Sequence, residues 1–198
     1  ASGALPEVTK TYVYDSIGNI SHKSDVGGYI YGTGIANGAG VHAVTQAGYN
    51  SYTYDGSGNM TGGAGRVIAW TSFNKPTSIT RGDASVAFEY DADHNRMSSV
   101  RSNIVEGNLQ TSTTVYLGKG YERVTTHTGV IEHKQYMQAA GATILYTERR
   151  NNAHDTRYMH KDHQGSTDVV TNELAQVVER SSFDAFGARR QVNWQNPT

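Results

Sequence analysis

The 198-residue chain has a formal net charge of −1, so its overall charge does not favour nucleic acid or an anionic membrane as a partner. It contains no Cys, which excludes disulfide scaffolds and thiolate metal sites, and no apolar run long enough for a membrane helix. Thirteen Tyr and 22 Gly stand beside four Phe, a composition that favours a sheet with one wet face over a thick core.

One nine-residue pattern appears three times along the first half of the chain. It reads YVYDSIGNI at residues 12–20 and YTYDGSGNM at 52–60, and FEYDADHNRM at 88–97 repeats it with His94 in the Gly place. Residues 66–80, RVIAWTSFNKPTSIT, form a degenerate fourth copy in which Trp70 takes the aromatic place. Self-similarity at a spacing of about 18 to 20 residues is typical of a repeat architecture built from β-hairpins.

Each copy predicts the end of a strand followed by a tight turn. The alternating aromatic residues place two rings on one face of a strand, and Asp-x-x-Gly is turn chemistry because the carboxylate binds backbone N–H groups while Gly accepts positive φ. The predicted structural residues are Tyr14, Asp15, Gly18, Tyr54, Asp55, Gly58, Tyr90 and Asp91. The glycosylation sequons at Asn19 and Asn59 fall at one place in the repeat and are interpreted as coincidence.

The second half of the chain also favours strands. Residues 111–118, 121–128, 130–137, 142–150 and 156–162 are rich in β-branched or aromatic residues and are separated by Gly, Asn or Asp. NELA, residues 172–175, is interpreted as a hairpin turn, with a short helix over 172–180 as the alternative. The chain is therefore predicted to be all-β and antiparallel.

The repeats resemble the YD repeats of bacterial RHS proteins and their relatives, the C components of insecticidal toxin complexes and the teneurins. A second motif resembles the conserved core signature of RHS proteins. The motif, residues 158–190, contains YMHKDHQGS and, further on, FDAFGARR. Its residues that match the RHS core signature are Asp162, His163, Gly165, Asp184, Phe186, Gly187, Arg189 and Arg190.

The resemblance implies antiparallel hairpins that form a curved sheet or part of a spiral, hollow β-shell. It implies YD-repeat hairpins over residues 1–105 and core-associated hairpins over 106–198, as one unit within a larger protein. Such a shell encloses a toxic C-terminal polypeptide before delivery. The partners would be the rest of that polypeptide and its toxin domain, in a secreted or surface-exported bacterial protein. The self-cleaving Asp-Pro-x-x-Gly segment of the family does not occur in these residues, so we expect no enzyme activity and no cofactor.

Three local features offer alternative functions. A divalent metal of a hydrolase could be bound by His160, Asp162 and His163. On a strand, however, His163 would point away from the other two residues. The preferred interpretation is that Asp162 and His163 bond the backbone of a turn around Gly165. Ser166 lacks the surroundings of a nucleophile.

The third alternative is a Tyr-rich face, with Trp70 and Tyr54, that contacts a cell-surface glycan or a receptor. Trp194 is a further aromatic residue considered for such a surface. Nucleic-acid binding and a membrane span are not expected. Open sheet edges predict dimerisation through an edge strand.

Overall fold

The computed structural model describes residues 9–34, 38–139, 141–184 and 186–190. Trp194, one of the aromatic residues considered for a binding surface, lies outside them. Within these residues the only helical segment is a 3-10 turn at Arg150–Asn152, and the strands pair antiparallel. The all-β antiparallel prediction is confirmed. No helix in this part of the chain is long and apolar enough to cross a membrane.

The chain divides into two compact units, Thr9–Thr111 and a second that starts at Ser112. The first contains ten strands, in which each one pairs with its neighbours in sequence. They are β1 (Tyr12–Tyr14), β2 (Ile20–Lys23), β3 (Gly27–Tyr31), β4 (Val44–Ala47), β5 (Asn50–Tyr54), β6 (Met60–Gly63), β7 (Arg66–Trp70), β8 (Pro76–Arg81), β9 (Ala84–Tyr90) and β10 (Arg96–Val105).

The strands of the second unit are on average longer, and they pair in sequence order in the same way. They are β11 (Asn108–Leu117), which contains the boundary between the units, β12 (Tyr121–Thr125), β13 (Ile131–Ala139), β14 (Ala142–Arg149), β15 (His154–Lys161), β16 (Thr167–Asn172) and β17 (Val177–Arg180). Residues 172–176 form the turn between β16 and β17, so the helix considered for 172–180 is wrong.

The two faces of the sheet in strands β7–β10 differ in chemistry. Residues directly opposite each other share a face, which joins Ile68, Ile79 and Val86 in one row. Because side chains alternate along a strand, the same face carries Trp70 and Phe88, and we call it the aromatic face. The opposite face carries small residues, among them Ala69, Ser78 and Ala87, which also lie directly opposite one another.

In the described residues, neither unit encloses a conventional hydrophobic core. Among the described residues, Ala39 and Ala47 are the only buried hydrophobic ones, and no large side chain is fully buried. Most of the described aromatic residues are instead half-buried on the sheet. The fold therefore depends on strand pairing, on turns and on contacts between neighbouring hairpins.

Candidate functional site

The repeated motif forms a five-residue turn that the Asp side chain closes. At Asp55, the backbone N–H donates to the carbonyl of Asn59 at 2.9 Å, and the N–H of Gly58 donates back to the Asp55 carbonyl at 3.0 Å. The carboxylate atom Oδ1 accepts the N–H groups of Ser57 and Asn59, both at 2.9 Å. Gly58 has φ +82°, a conformation that glycine adopts without strain. We call this arrangement the Asp turn.

The Asp turn recurs at the other positions that the sequence singled out. Asp15, Asp91, Asp162 and Asp184 each accept two backbone N–H groups through Oδ1. The residue with positive φ is Gly18, His94, Gly165 and Gly187 respectively. These residues act on the backbone of their own hairpin.

Three further copies of the turn use another residue in place of Asp. Asn172 Oδ1 accepts the N–H groups of Leu174 and Gln176, and Ala175 has φ +58° where the motif has Gly. Thr71 and Thr126 close the same backbone loop through their hydroxyls. Sequence reasoning found the hairpin at 172–175 but not its chemistry, because the motif was defined by Asp and Gly. Any short side chain with an acceptor oxygen could have been the signal.

Hydrogen bonding lowers the pKa of the turn carboxylates. The pKa of Asp55 is lowered first by the side-chain amide of Asn59 and then by the backbone N–H groups of the turn. For Asp91, the N–H of Asn95 is the main cause of the lowered pKa. Partial desolvation acts to raise the pKa of Asp15, but its hydrogen bonds with Asn19 and Ile17 outweigh that effect. All three aspartates are therefore held in the charged form, which binds N–H groups most strongly.

At three of the turns the aromatic residue that precedes the turn bonds the preceding strand. Tyr54 Oη donates to the carbonyl of Val44 at 2.7 Å, and Tyr90 Oη donates to that of Pro76 at 2.8 Å. Trp70 makes the equivalent bond through Nε1 to the carbonyl of Met60, also at 2.8 Å. Each acceptor is the first residue of its strand. Tyr14 begins the series and is 55% exposed.

Neighbouring turns of the first unit are also tied to one another by side chains. Asn59 Nδ2 donates to Asn74 Oδ1 at 2.9 Å, and the Phe73 ring stacks on the His94 ring with centroids 3.9 Å apart. Lys75 Nζ donates to the carbonyl of His94. Asn19, which is 7% exposed, donates through Nδ2 to the Val41 carbonyl. Both sequon asparagines thus use their amides inside the folded protein.

The residues considered for metal binding do not converge. His160 Nε2 bonds Thr171 Oγ1 at 3.0 Å, Asp162 closes its turn, and His163 lies exposed in that turn. Within the described part of the chain, no group of three or more His, Asp or Glu side chains is placed to hold a metal ion. Ser166 contributes its backbone N–H and carbonyl to the Asp162 turn.

The motif near the end of the described chain forms a small hairpin. Phe183 and Arg189 form a β-bridge around the Asp184 turn, and the N–H of Arg190 donates to the Ser182 carbonyl. Arg189 Nη2 also donates to Glu179 Oε1 at 2.7 Å. Phe186, at the tip, is mostly exposed.

The residues proposed for glycan contact, Tyr54 and Trp70, already use their donors inside the sheet. A nearby open groove of about 590 Å³ has other polar groups. Its lining includes Tyr29, Tyr52, His42 and Asn50, with the small Ala47 directly opposite Tyr29. In the described structure the hydroxyls of Tyr29 and Tyr52 make no hydrogen bond.

Charged side chains link three strands of the second unit, a feature that sequence reasoning missed. Arg149 donates through Nε to Glu132 Oε1 and through Nη1 to Asp155 Oδ1, both at 2.7 Å. Arg157 and Lys134 extend this network at 3.2 and 3.3 Å. Partial burial acts to raise the pKa of Glu132, but Arg149 and Lys134 outweigh it and lower the pKa. Glu132 and Arg149 are 17 residues apart in sequence, so only the β13–β14 register brings these two charges together.

Comparisons with known proteins identify the fold. No protein-family profile and no curated protein sequence matches the chain. Crystal structures of similar fold include TcdB2-TccC3-TEV, with a TM-score of 0.65 and 15% identity over 94% of this chain. TcdB2-TccC3-Cdc42 has a TM-score of 0.60, and TcdB2-TccC3 without its hypervariable C-terminal region has 0.54, each at 15% identity over 91% of this chain. The chain spans only 10% to 12% of the length of these solved chains.

Proposed function

We propose that the chain is a wall segment of a hollow β-shell in an RHS-type toxin protein, and that the shell encloses a toxic C-terminal polypeptide before delivery. The observation that carries this proposal is a hairpin sheet with no large buried side chain in its described part. Neither face of such a sheet is covered by a thick core, so one face can line a cavity while the other contacts solvent, as a shell wall requires. The solved chains of similar fold come from crystal structures of TcdB2-TccC3 and are far longer than this one, as a wall built from many such segments requires.

In this proposal the chain acts by exclusion and carries no catalytic group. Paired strands leave no gap through which a protease could reach the enclosed polypeptide, and the bonded turns prevent neighbouring hairpins from separating. The partners are the remaining wall and the enclosed polypeptide of the same protein. The protein would be exported from a bacterium.

Protease protection tests the enclosure. The longest natural polypeptide that contains these residues is purified with an epitope tag at its C-terminus and treated with proteinase K, with and without denaturant. We expect the tagged segment to survive in the native protein and to be digested in denaturant. The Asp55→Ala plus Asp91→Ala variant should lose part of that protection. Asp93→Ala, which removes an exposed carboxylate from the turn that Asp91 closes, should keep it. Equal digestion of the tag in native and denatured protein would contradict the proposal.

A glycan-binding surface is the second candidate function, favoured by the unbonded hydroxyls of Tyr29 and Tyr52 in the groove beside Ala47. Aromatic rings with free hydrogen-bonding groups suit sugar rings. On a glycan array, Tyr52→Ala should remove binding and Tyr49→Ala, at a fully exposed residue outside the groove, should not. An array without signal for the unmodified chain would exclude this candidate.

A further inference from the structure

Four arginines stand on the aromatic face of strands β7–β10. Arg66 precedes Ile68 by two residues, so both lie on this face, and Arg81 is directly opposite Arg66 on β8. Arg101 is directly opposite Val86, and the Arg96 guanidinium lies 4.3 Å from the centroid of the Phe88 ring.

Apolar side chains fill the area between these arginines. They are Ile68, Trp70, Ile79, Val86 and Phe88, all partly exposed. We call these five residues and the four arginines the arginine-framed patch. An apolar centre with a charged rim is the usual composition of a surface that binds a polypeptide.

The charge of the arginine-framed patch has one sign. Strands β7–β10 contain a single acidic residue, Glu89, which alternates with Phe88 and Tyr90 and so lies on the opposite face. There Glu89 Oε2 accepts a hydrogen bond from Ser98 at 2.7 Å. Asp83 lies in the β8–β9 turn and forms no ion pair in the described structure. Arg66 and Arg81 are like charges at directly opposite positions, an arrangement that destabilises a sheet unless an anion lies between them.

We propose that the arginine-framed patch binds an extended, acidic polypeptide segment that also carries apolar side chains. The four arginines attract the acidic residues of this segment by charge complementarity, and the five central side chains of the patch contact the apolar residues of the segment. Arg81 and Arg101 are exposed and form no hydrogen bond or ion pair in the described part of the chain, so their guanidinium groups can meet a partner. This inference does not depend on the proposed enclosure, because a free chain can bind a free peptide.

The probe is a fluorescein-labelled peptide of Val-Gly-Glu-Gly repeats, in which Val and Glu alternate on one face of an extended chain. Fluorescence anisotropy with the purified chain should show binding that weakens as salt rises. The Arg81→Gln plus Arg101→Gln variant should bind roughly tenfold more weakly, the loss expected for two exposed ion pairs. A Val-Gly-Gln-Gly peptide should lose a similar factor with the unmodified chain.

The matched control is Arg123→Gln plus Arg180→Gln, which removes two exposed charges from the second unit and should leave peptide affinity unchanged. Thermal unfolding verifies that both double variants are folded. The proposal is overturned if the unmodified chain binds neither peptide, if it binds both equally, or if both double variants lose affinity alike. Vesicles of phosphatidylglycerol are tested in parallel, and binding to them without binding to the acidic peptide would also overturn it.

Discussion

The two units share the same closed turns but differ in the side chains that join neighbouring strands. In the first, most strands are short, and side chains near the turns join one hairpin to the next, as Asn59 does with Asn74. In the second, several strands have eight residues or more, and ion pairs around Arg149 cross three of them. The difference shows that a sheet without a large core can be held at its turns or across its strands. The first way uses bonds between neutral groups, and the second uses charges that salt can screen.

The largest expected effect comes from removing an aromatic residue that spans two hairpins of the first unit. Trp70→Ala deletes a half-buried ring and the bond from Nε1 to the Met60 carbonyl, so we expect a loss of about 2 kcal/mol in the free energy of unfolding. Hydrogen exchange should increase in β6–β8 and stay unchanged in β13–β15. Tyr49→Ala, at a fully exposed site, is the control. Faster exchange in both units would show that they do not respond separately.

The next effect tests the turn carboxylate. Asp55→Ala removes the acceptor of two backbone N–H groups and should lower the midpoint of thermal unfolding by roughly 5 °C. Asp55→Asn should restore most of the loss, because Asn172 already closes the same turn with an amide oxygen. If Asn is as damaging as Ala, the charge of Asp55 matters more than its acceptor geometry.

A smaller effect is expected for the ion-pair network of the second unit. Arg149→Met removes the partner of Glu132 and Asp155 and should cost at most about 1 kcal/mol, because the side chain is one-third exposed. High salt should shrink this difference and leave the Asp55→Ala difference unchanged, which would separate the two kinds of stabilisation. The control is Arg150→Met. If salt changed the effects of Arg149→Met and Asp55→Ala equally, the two units would not differ in how their strands are joined.

Acid should weaken both units at similar pH. Four carboxyl groups have lowered pKa values in the folded chain: those of Asp15, Asp55, Asp91 and Glu132. They therefore stabilise the fold fully at any pH above the pKa that the same groups have in the unfolded chain. This stabilisation is lost as pH falls below about 4 and passes through the folded values. Chemical unfolding measured from pH 7 down to pH 3 should show the decline, and Asp55→Ala should make it shallower. A decline that is complete above pH 5 would contradict this assignment to the four carboxylates.

Association through an edge strand is the smallest expected effect. Unpaired N–H and C=O groups at the end of a sheet can pair with a second chain, which makes the apparent mass depend on concentration. Light scattering over a range of concentrations measures this dependence. A monomer at every concentration would show that the sheet edges do not pair.

Much of the fold followed from the sequence because its signals are local. Alternating aromatic residues and Asp-x-x-Gly act within one hairpin, so they predicted the strand ends at Tyr14, Tyr54 and Tyr90 and the turns after them. The strands between residues 111 and 162 could be predicted because these segments are rich in β-branched or aromatic residues and are separated by Gly, Asn or Asp. The hairpin around Asn172 was found as a turn, although its acceptor was not recognised.

The contacts that only the tertiary structure shows depend on the pairing register of the strands. Bulges beside several of the turns, such as those at Tyr54 and Trp70, shift the pairing and make simple alternation unreliable for opposite positions. Register brought Arg149 to Glu132 and placed Arg66 beside Arg81, pairs too far apart in sequence for a local pattern to join. It also directed the Tyr54 hydroxyl to the Val44 carbonyl, a bond to a backbone atom that no side-chain motif encodes. The sequence determined the hairpins, and the pairing between them determined the chemistry of each face.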